Sequence, residues 1–155
     1  AQLSVGSVYR YFKNKDQLAT EVFSHASRRE VRAVADALEG VGDARGQIVA
    51  GTRCFAERAF MAPQFAWALI AEPVDPAVDE ARINFRRDYT ALFEKVVKRG
   101  VESGEFCQQP AALVAPALVG ALAESLLGPL AESERSSDMI DELCLFCLRA
   151  VGAKD

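Results

Sequence analysis

The sequence predicts an all-α protein. Apolar residues cluster at spacings of three and four, no stretch alternates with the period of two that a half-buried strand needs, and helix start signals recur behind Gly and Pro breaks. The chain has 155 residues, 50% hydrophobic and 26% charged, which is enough to bury a core without disulfides or metal. Disordered, collagen-like and disulfide-scaffold classes are therefore excluded.

Ser4 can cap a short helix running to about Tyr11. Asn14 followed by Gln17 makes a start resembling a capping box for a long helix from Asp16 to about Leu38, with Leu18, Val22, Phe23, Ala26, Val34 and Leu38 near one face. Gly40 to Gly42 ends it. Asp43 caps the next segment, to about Phe60, and the Ala62-Pro63 break leads into a short aromatic helix from Gln64 to about Ala71. Asp75-Pro76 is the strongest start, a cap with proline at the first helical position and Asp79 and Glu80 behind it; the helix continues to Gly100 or Gly104. Pro110 opens a further helix to about Gly128, bent near Pro116, and a last helix runs from Asp138 to Val151.

These final two segments are apolar around more than one stripe, which a lone protomer hides on one side only. A symmetric homodimer is the expected solution, with Leu118, Leu122, Leu126, Ile140, Leu143, Phe146 and Cys147 forming the seam.

Charge is unevenly spread. Residues 1 to 32 carry a formal +3 and the remainder −7, a basic head on an acidic body that suits a polyanion-binding end. No basic, apolar, small-residue signal opens the chain, and Cys54, Cys107, Cys144 and Cys147 fit no disulfide framework, so a reducing cytoplasm is the expected compartment. No membrane partner is expected, because Pro116, Glu124 and Pro129 interrupt the most apolar stretch, Pro110 to Leu130.

The opening run, Ala1-Gln2-Leu3-Ser4-Val5-Gly6-Ser7-Val8-Tyr9-Arg10-Tyr11-Phe12-Lys13-Asn14-Lys15-Asp16-Gln17-Leu18, resembles the end of the DNA-binding head of the tetracycline-repressor (TetR/AcrR) transcriptional regulators. The matching positions are Ser4, Gly6, the Tyr9-x-Tyr11-Phe12 core, Lys15 and Leu18. Beyond about residue 20 the likeness is one of architecture. The resemblance implies that residues 1–15 are the recognition helix and turn of a helix-turn-helix head whose first two helices are not among these 155 residues. Residues 16–155 would then be the connecting helix with a regulatory and dimerisation domain ending in a two-helix seam. On that reading this length of chain alone binds DNA poorly.

Physically, the first residues of a recognition helix meet base edges while flanking groups hold phosphates. Val5 offers contact to a thymine methyl, Gly6 allows close approach, and Ser7 donates or accepts. Ser4, Tyr9, Tyr11 and Lys15 are assigned to phosphates, and Arg10 to either task. Val8 and Phe12 pack the head. The expected partner is a double-stranded DNA operator.

A regulator also needs an input. Phe55, Met61, Phe65, Trp67, Phe85, Tyr89 and Phe93 concentrate aromatic and apolar surface on the middle helices and are the candidate effector pocket for a small, largely apolar molecule, which would tilt the long helix and respace the heads of the dimer. Arg53, Arg58, Arg86 and Arg87 are read as solvated rather than as anchors for an acidic head group. A helical ligand carrier or protein-interaction module without DNA binding is the alternative.

No cofactor or metal is expected. Cys144-Leu-Phe-Cys147 has CxxC spacing but lacks a second close pair, so its thiols are read as core filler. One histidine, His25, and no nucleophile elbow or phosphate-cradling glycine loop leave no constellation with catalytic roles, so no enzyme is expected.

Overall fold

The computed structural model describes residues 12–71, 76–132 and 137–154. Among them lie six helices, α1 Lys15–Glu39, α2 Ala44–Met61, α3 Pro63–Ile70, α4 Pro76–Ser103, α5 Ala111–Glu132 and α6 Ser137–Ala150, and no strand beyond one isolated bridge, Phe106 with Ala153. The all-α class is observed.

Local chemistry starts the helices where the caps stand. The Asn14 side chain accepts from the Gln17 amide at 2.8 Å, satisfying an orphan donor of the first turn, while Gln17 Oε1 reaches back to accept from the amide of Lys13, just ahead of the cap, at 2.7 Å. Asp43 accepts from the Gly46 amide at 2.6 Å. Glu105, sixty-one residues along the chain, supplies a second cap from outside: its Oε2 accepts from the amides of Ala44 (2.9 Å) and Arg45 (3.1 Å). Between the two helices, buried Gln47 donates to the carbonyls of Leu38 (2.8 Å) and Val41 (3.1 Å), closing the C-terminal end of α1.

α4 is the central element, packed on α1, α2 and α5, with α6 lying mainly on α2. Phe93, Ile48, Val97, Leu118, Leu122, Leu126 and Phe106 are fully enclosed, each such side chain contributing roughly 1.5–3 kcal/mol by leaving water. Helix α4 runs past Gly100, where a Cβ would lie 2.2 Å from the Phe106 ring, so the ring packs on bare backbone there. It stops at Ser103, and Gly104 turns with φ +82°, a left-handed conformation costly to other residues. The following loop is tied to the end of α6, with the Cys107 amide donating to Gly152 (3.1 Å) and the Lys154 amide to Glu105 (2.9 Å).

Two expectations are revised. Helix α5 continues through Pro116 and Pro129 to Glu132 instead of ending near Gly128, since Leu130 is buried and holds the last turn on the core. The stretch Ala111–Ala131 is long and apolar enough to cross a membrane by length and composition, with Glu124 its one charge. It packs on α3 and α4 here, yet only 28% of its most apolar window is buried. Leu118, Leu122, Leu126, Ile140, Leu143 and Cys147, expected at a dimer seam, are buried in the protomer's own core. Of that set only Phe146 is exposed, alongside Leu113 and Leu145. Periodicity marks a helix as apolar on two sides, but not which side its own chain covers.

Candidate ligand site

No residue in the first three turns of α1 is fully buried; Ser27 is its first buried residue, followed by Val34 and Leu38. The helix is thus anchored by its C-terminal half, while Val22 stands 59% exposed. Two contacts fasten its middle. Phe23 meets Phe85 edge-on, ring centroids 6.4 Å apart, and Glu30 accepts from Arg58 of α2 at two points, Nε to Oε2 at 2.5 Å and Nη2 to Oε1 at 2.8 Å. Both side chains of this pair are partly buried, and the fork-shaped guanidinium meets both carboxylate oxygens.

Behind the pair lies a chamber walled by Phe55, Ala59, Phe65, Ala66, Leu69, Ile70, Phe85 and Tyr89, with Glu30 and Arg58 at its edge. Its rings interlock edge to face, Phe55 with Tyr89 at 5.1 Å and Phe85 with Tyr89 at 4.8 Å. The open volume is only about 30 Å³, so the chamber as it stands is closed to anything much larger than water. In front of the pair a cleft of about 430 Å³ opens between Ala26, Arg29, Glu30, Arg58, Met61, Ala62 and Phe65. Cleft and chamber share Glu30, Arg58 and Phe65, which form the partition between them.

Tyr89 is 3% exposed, and its hydroxyl makes no hydrogen bond among the described residues. Burial, with Glu30 and Cys54 adding to it, holds the phenol far above its ordinary pKa, so it stays protonated and able to donate. Helix α3, which supplies the outer wall, is eight residues long and starts at Ala62 without a side-chain cap.

No family model and no curated protein matches the sequence. The fold does match solved structures. The fatty acid degradation regulator FadR from Bacillus halodurans superposes with a TM-score of 0.84 at 15% identity, over 98% of this chain and 81% of its own. FadR from Bacillus subtilis in complex with stearoyl-CoA gives 0.81 at 15% identity, over 99% and 83%. A TetR-family transcriptional regulator from Syntrophomonas wolfei gives 0.79 at 15%, over 97% and 79%.

The chain has the fold of the TetR-family regulators.

Within this TetR-type fold the candidate residues separate. Phe55, Phe65, Phe85 and Tyr89 converge on the chamber. Met61 stands at the outer lip, 74% exposed. Trp67 is half-exposed away from the chamber, and Phe93 belongs to the core, its ring over Gly51. Of the DNA-contact candidates, Lys15 is exposed as the first residue of α1, while Ser4, Val5, Gly6, Ser7, Tyr9, Arg10 and Tyr11 lie outside the described residues, as does the helix expected over them.

The arginines are not free. Arg58 pairs with Glu30, Arg53 with Asp141 at 2.5 Å, Arg86 donates to the Ile70 carbonyl at 3.4 Å and Arg87 to Asn84 at 3.3 Å. His25 is exposed. Cys144 and Cys147 are buried, and desolvation pushes both thiols up, Cys147 to about 11. No group of three or more metal-ligating side chains occurs among the described residues. Sequence reasoning missed Glu30, although it interrupts the face formed by Phe23, Ser27 and Val34; an acid on a buried stripe is the signal that could have found it.

Proposed function

We propose that the protein is a ligand-responsive DNA-binding transcriptional regulator, a homodimeric repressor that a small effector releases from its operator. Residues 1–15 belong to the DNA-binding head and residues 16–155 form the connecting helix with the regulatory body, working in the cytoplasm. One observation carries the reading: Glu30, on the helix that leads directly from the basic N-terminal motif, forms part of the chamber's polar edge. A molecule entering there changes the hold on the middle of a helix whose first three turns contain no fully buried residue. Selection between two positions of α1 then couples the chamber to the head.

The fold supports this reading, since proteins that share it are regulators and one of them holds a bound acyl-CoA. Dimerisation is supported by the exposed apolar face of α5 (Ala112, Leu113, Pro116, Ala117, Gly120) and by exposed Leu145 and Phe146 of α6. These small side chains let a second copy approach closely, and covering them removes the exposure that a lone protomer leaves.

The test is selection of bound duplexes from a random DNA library by the full-length protein with a complete head, at several salt concentrations. The expected outcome is one enriched sequence, affinity falling linearly in log-log form with salt, and loss of selectivity in Tyr11→Ala and Lys15→Ala. No enrichment at low salt would leave a ligand carrier as the function of the body.

A further inference from the structure

The partition between cleft and chamber is a carboxylate held on a guanidinium, with a phenol in the chamber behind it. Glu30 occupies the Nε–Nη2 edge of the Arg58 guanidinium. Tyr89 lines the same chamber and is 3% exposed, and a phenol there can donate to an acceptor that enters.

The approach to the partition is positive, on a body that is otherwise acidic. The cleft mouth adds Arg29 to Arg58 against the single Glu30, and the adjoining surface carries Arg28 and Arg32 against Asp36. Such a concentration of one sign raises the local concentration of anions. Everything beyond the partition is apolar apart from Tyr89: the walls are Phe55, Ala59, Phe65, Ala66, Leu69 and Phe85, with Ile70 at the far side.

We propose that the site binds an apolar chain bearing one anionic head, carboxylate or phosphate, which replaces Glu30 on Arg58 and accepts a hydrogen bond from Tyr89. The tail takes the chamber as the uncapped helix α3 moves outward, carrying Phe65, Ala66, Leu69 and Ile70 with it. Glu30 acts as the internal competitor: the ligand must displace it, and its displacement is what loosens α1. The inference rests on the reading of this chamber as the effector site, and it specifies the chemistry of the effector.

The test is calorimetric titration of the protein with decanoate, decyl phosphate and decanol, without DNA. Both anions are expected to bind about tenfold or more tightly than decanol, since a charge-assisted pair replaces a neutral contact; the stronger anion identifies the head group. Glu30→Gln removes the competitor and is expected to tighten anion binding about fivefold or more, with decanol little changed. Arg58→Gln is expected to erase the preference for anions, and Tyr89→Phe to weaken the anions about fivefold and decanol less. Each variant is checked for the native helical spectrum, and Arg58→Lys, which keeps the charge but not the fork, is expected to retain part of the preference. Equal binding of decanol, binding by none of the three, or a preference for anions that survives Arg58→Gln would overturn the proposal. Because the readout is binding without DNA, these results are independent of whether the protein selects an operator.

Discussion

Glu30 and Arg58 sit twenty-eight residues apart in sequence and join α1 to α2 through two parallel hydrogen bonds. The pair spans the one place where the connecting helix touches both the cleft and the chamber. Its Arg58 guanidinium is held protonated more firmly than usual, first by the hydrogen bond to Glu30. A pair with this much solvent access contributes modestly to stability, so its position matters more than its strength.

A double-mutant cycle on Glu30→Gln and Arg58→Met measures that strength. The coupling free energy is expected near 1 kcal/mol by urea unfolding. A value indistinguishable from zero would mean that the pair does not fasten α1.

Gly100→Ala is expected to destabilise the fold by about 2 kcal/mol or more, because a Cβ there would lie 2.2 Å from the enclosed Phe106 ring and overpacking forces the neighbour to move. The midpoint of chemical unfolding checks this. An unchanged midpoint would contradict the packing of the 104–110 loop.

Acid should expose the cap that Glu105 provides. Hydrogen bonds from Ser103 and from the amides of Arg45 and Ala44 lower its pKa below 4.5, so its contribution is present in full above that value and is lost as pH falls through the depressed folded-state pKa. Wild type is therefore expected to be more stable than Glu105→Gln at pH 7, with the two curves converging below pH 4.5 in thermal melts recorded across pH. A constant difference down to the lowest pH would remove Glu105 as the cap.

Thiol reactivity should follow burial. Cys107 is exposed, Cys54 is half-buried, and Cys144 and Cys147 are enclosed with raised pKa values. Iodoacetamide followed by mass spectrometry is expected to mark Cys107 first and Cys147 only on unfolding. Early modification of Cys147 would show that the contact of α6 with α2 opens readily.

At the proposed seam, Phe146→Glu is expected to give a folded monomer by light scattering, whereas Leu143→Glu, at a buried position, should lose the fold itself. A Phe146→Glu dimer would move the interface elsewhere.

The helix starts were legible because caps are local: Asn14 with Gln17 and Asp43 with Gly46 lie three residues apart. What escaped the sequence depends on distant partners. Gly100 reads as a stop until Phe106 is seen to need its bare backbone, and Leu118 reads like Leu113 until one is buried and the other is 67% exposed. Phe55, Phe85 and Tyr89 were legible as a cluster because aromatic residues mark enclosed surface whichever neighbour they meet. Glu30 left one trace, an acid on a buried stripe, but nothing near it in sequence announces Arg58.

The most direct measurement is the affinity of the full-length protein for its selected operator, with and without saturating decanoate, in wild type and Glu30→Gln. The account predicts that ligand weakens operator binding about tenfold in wild type, a coupling of ~1.4 kcal/mol, and that Glu30→Gln, lacking the α1 contact from the outset, binds operator more weakly and responds less. An operator affinity unchanged by a ligand shown to occupy the chamber would contradict it.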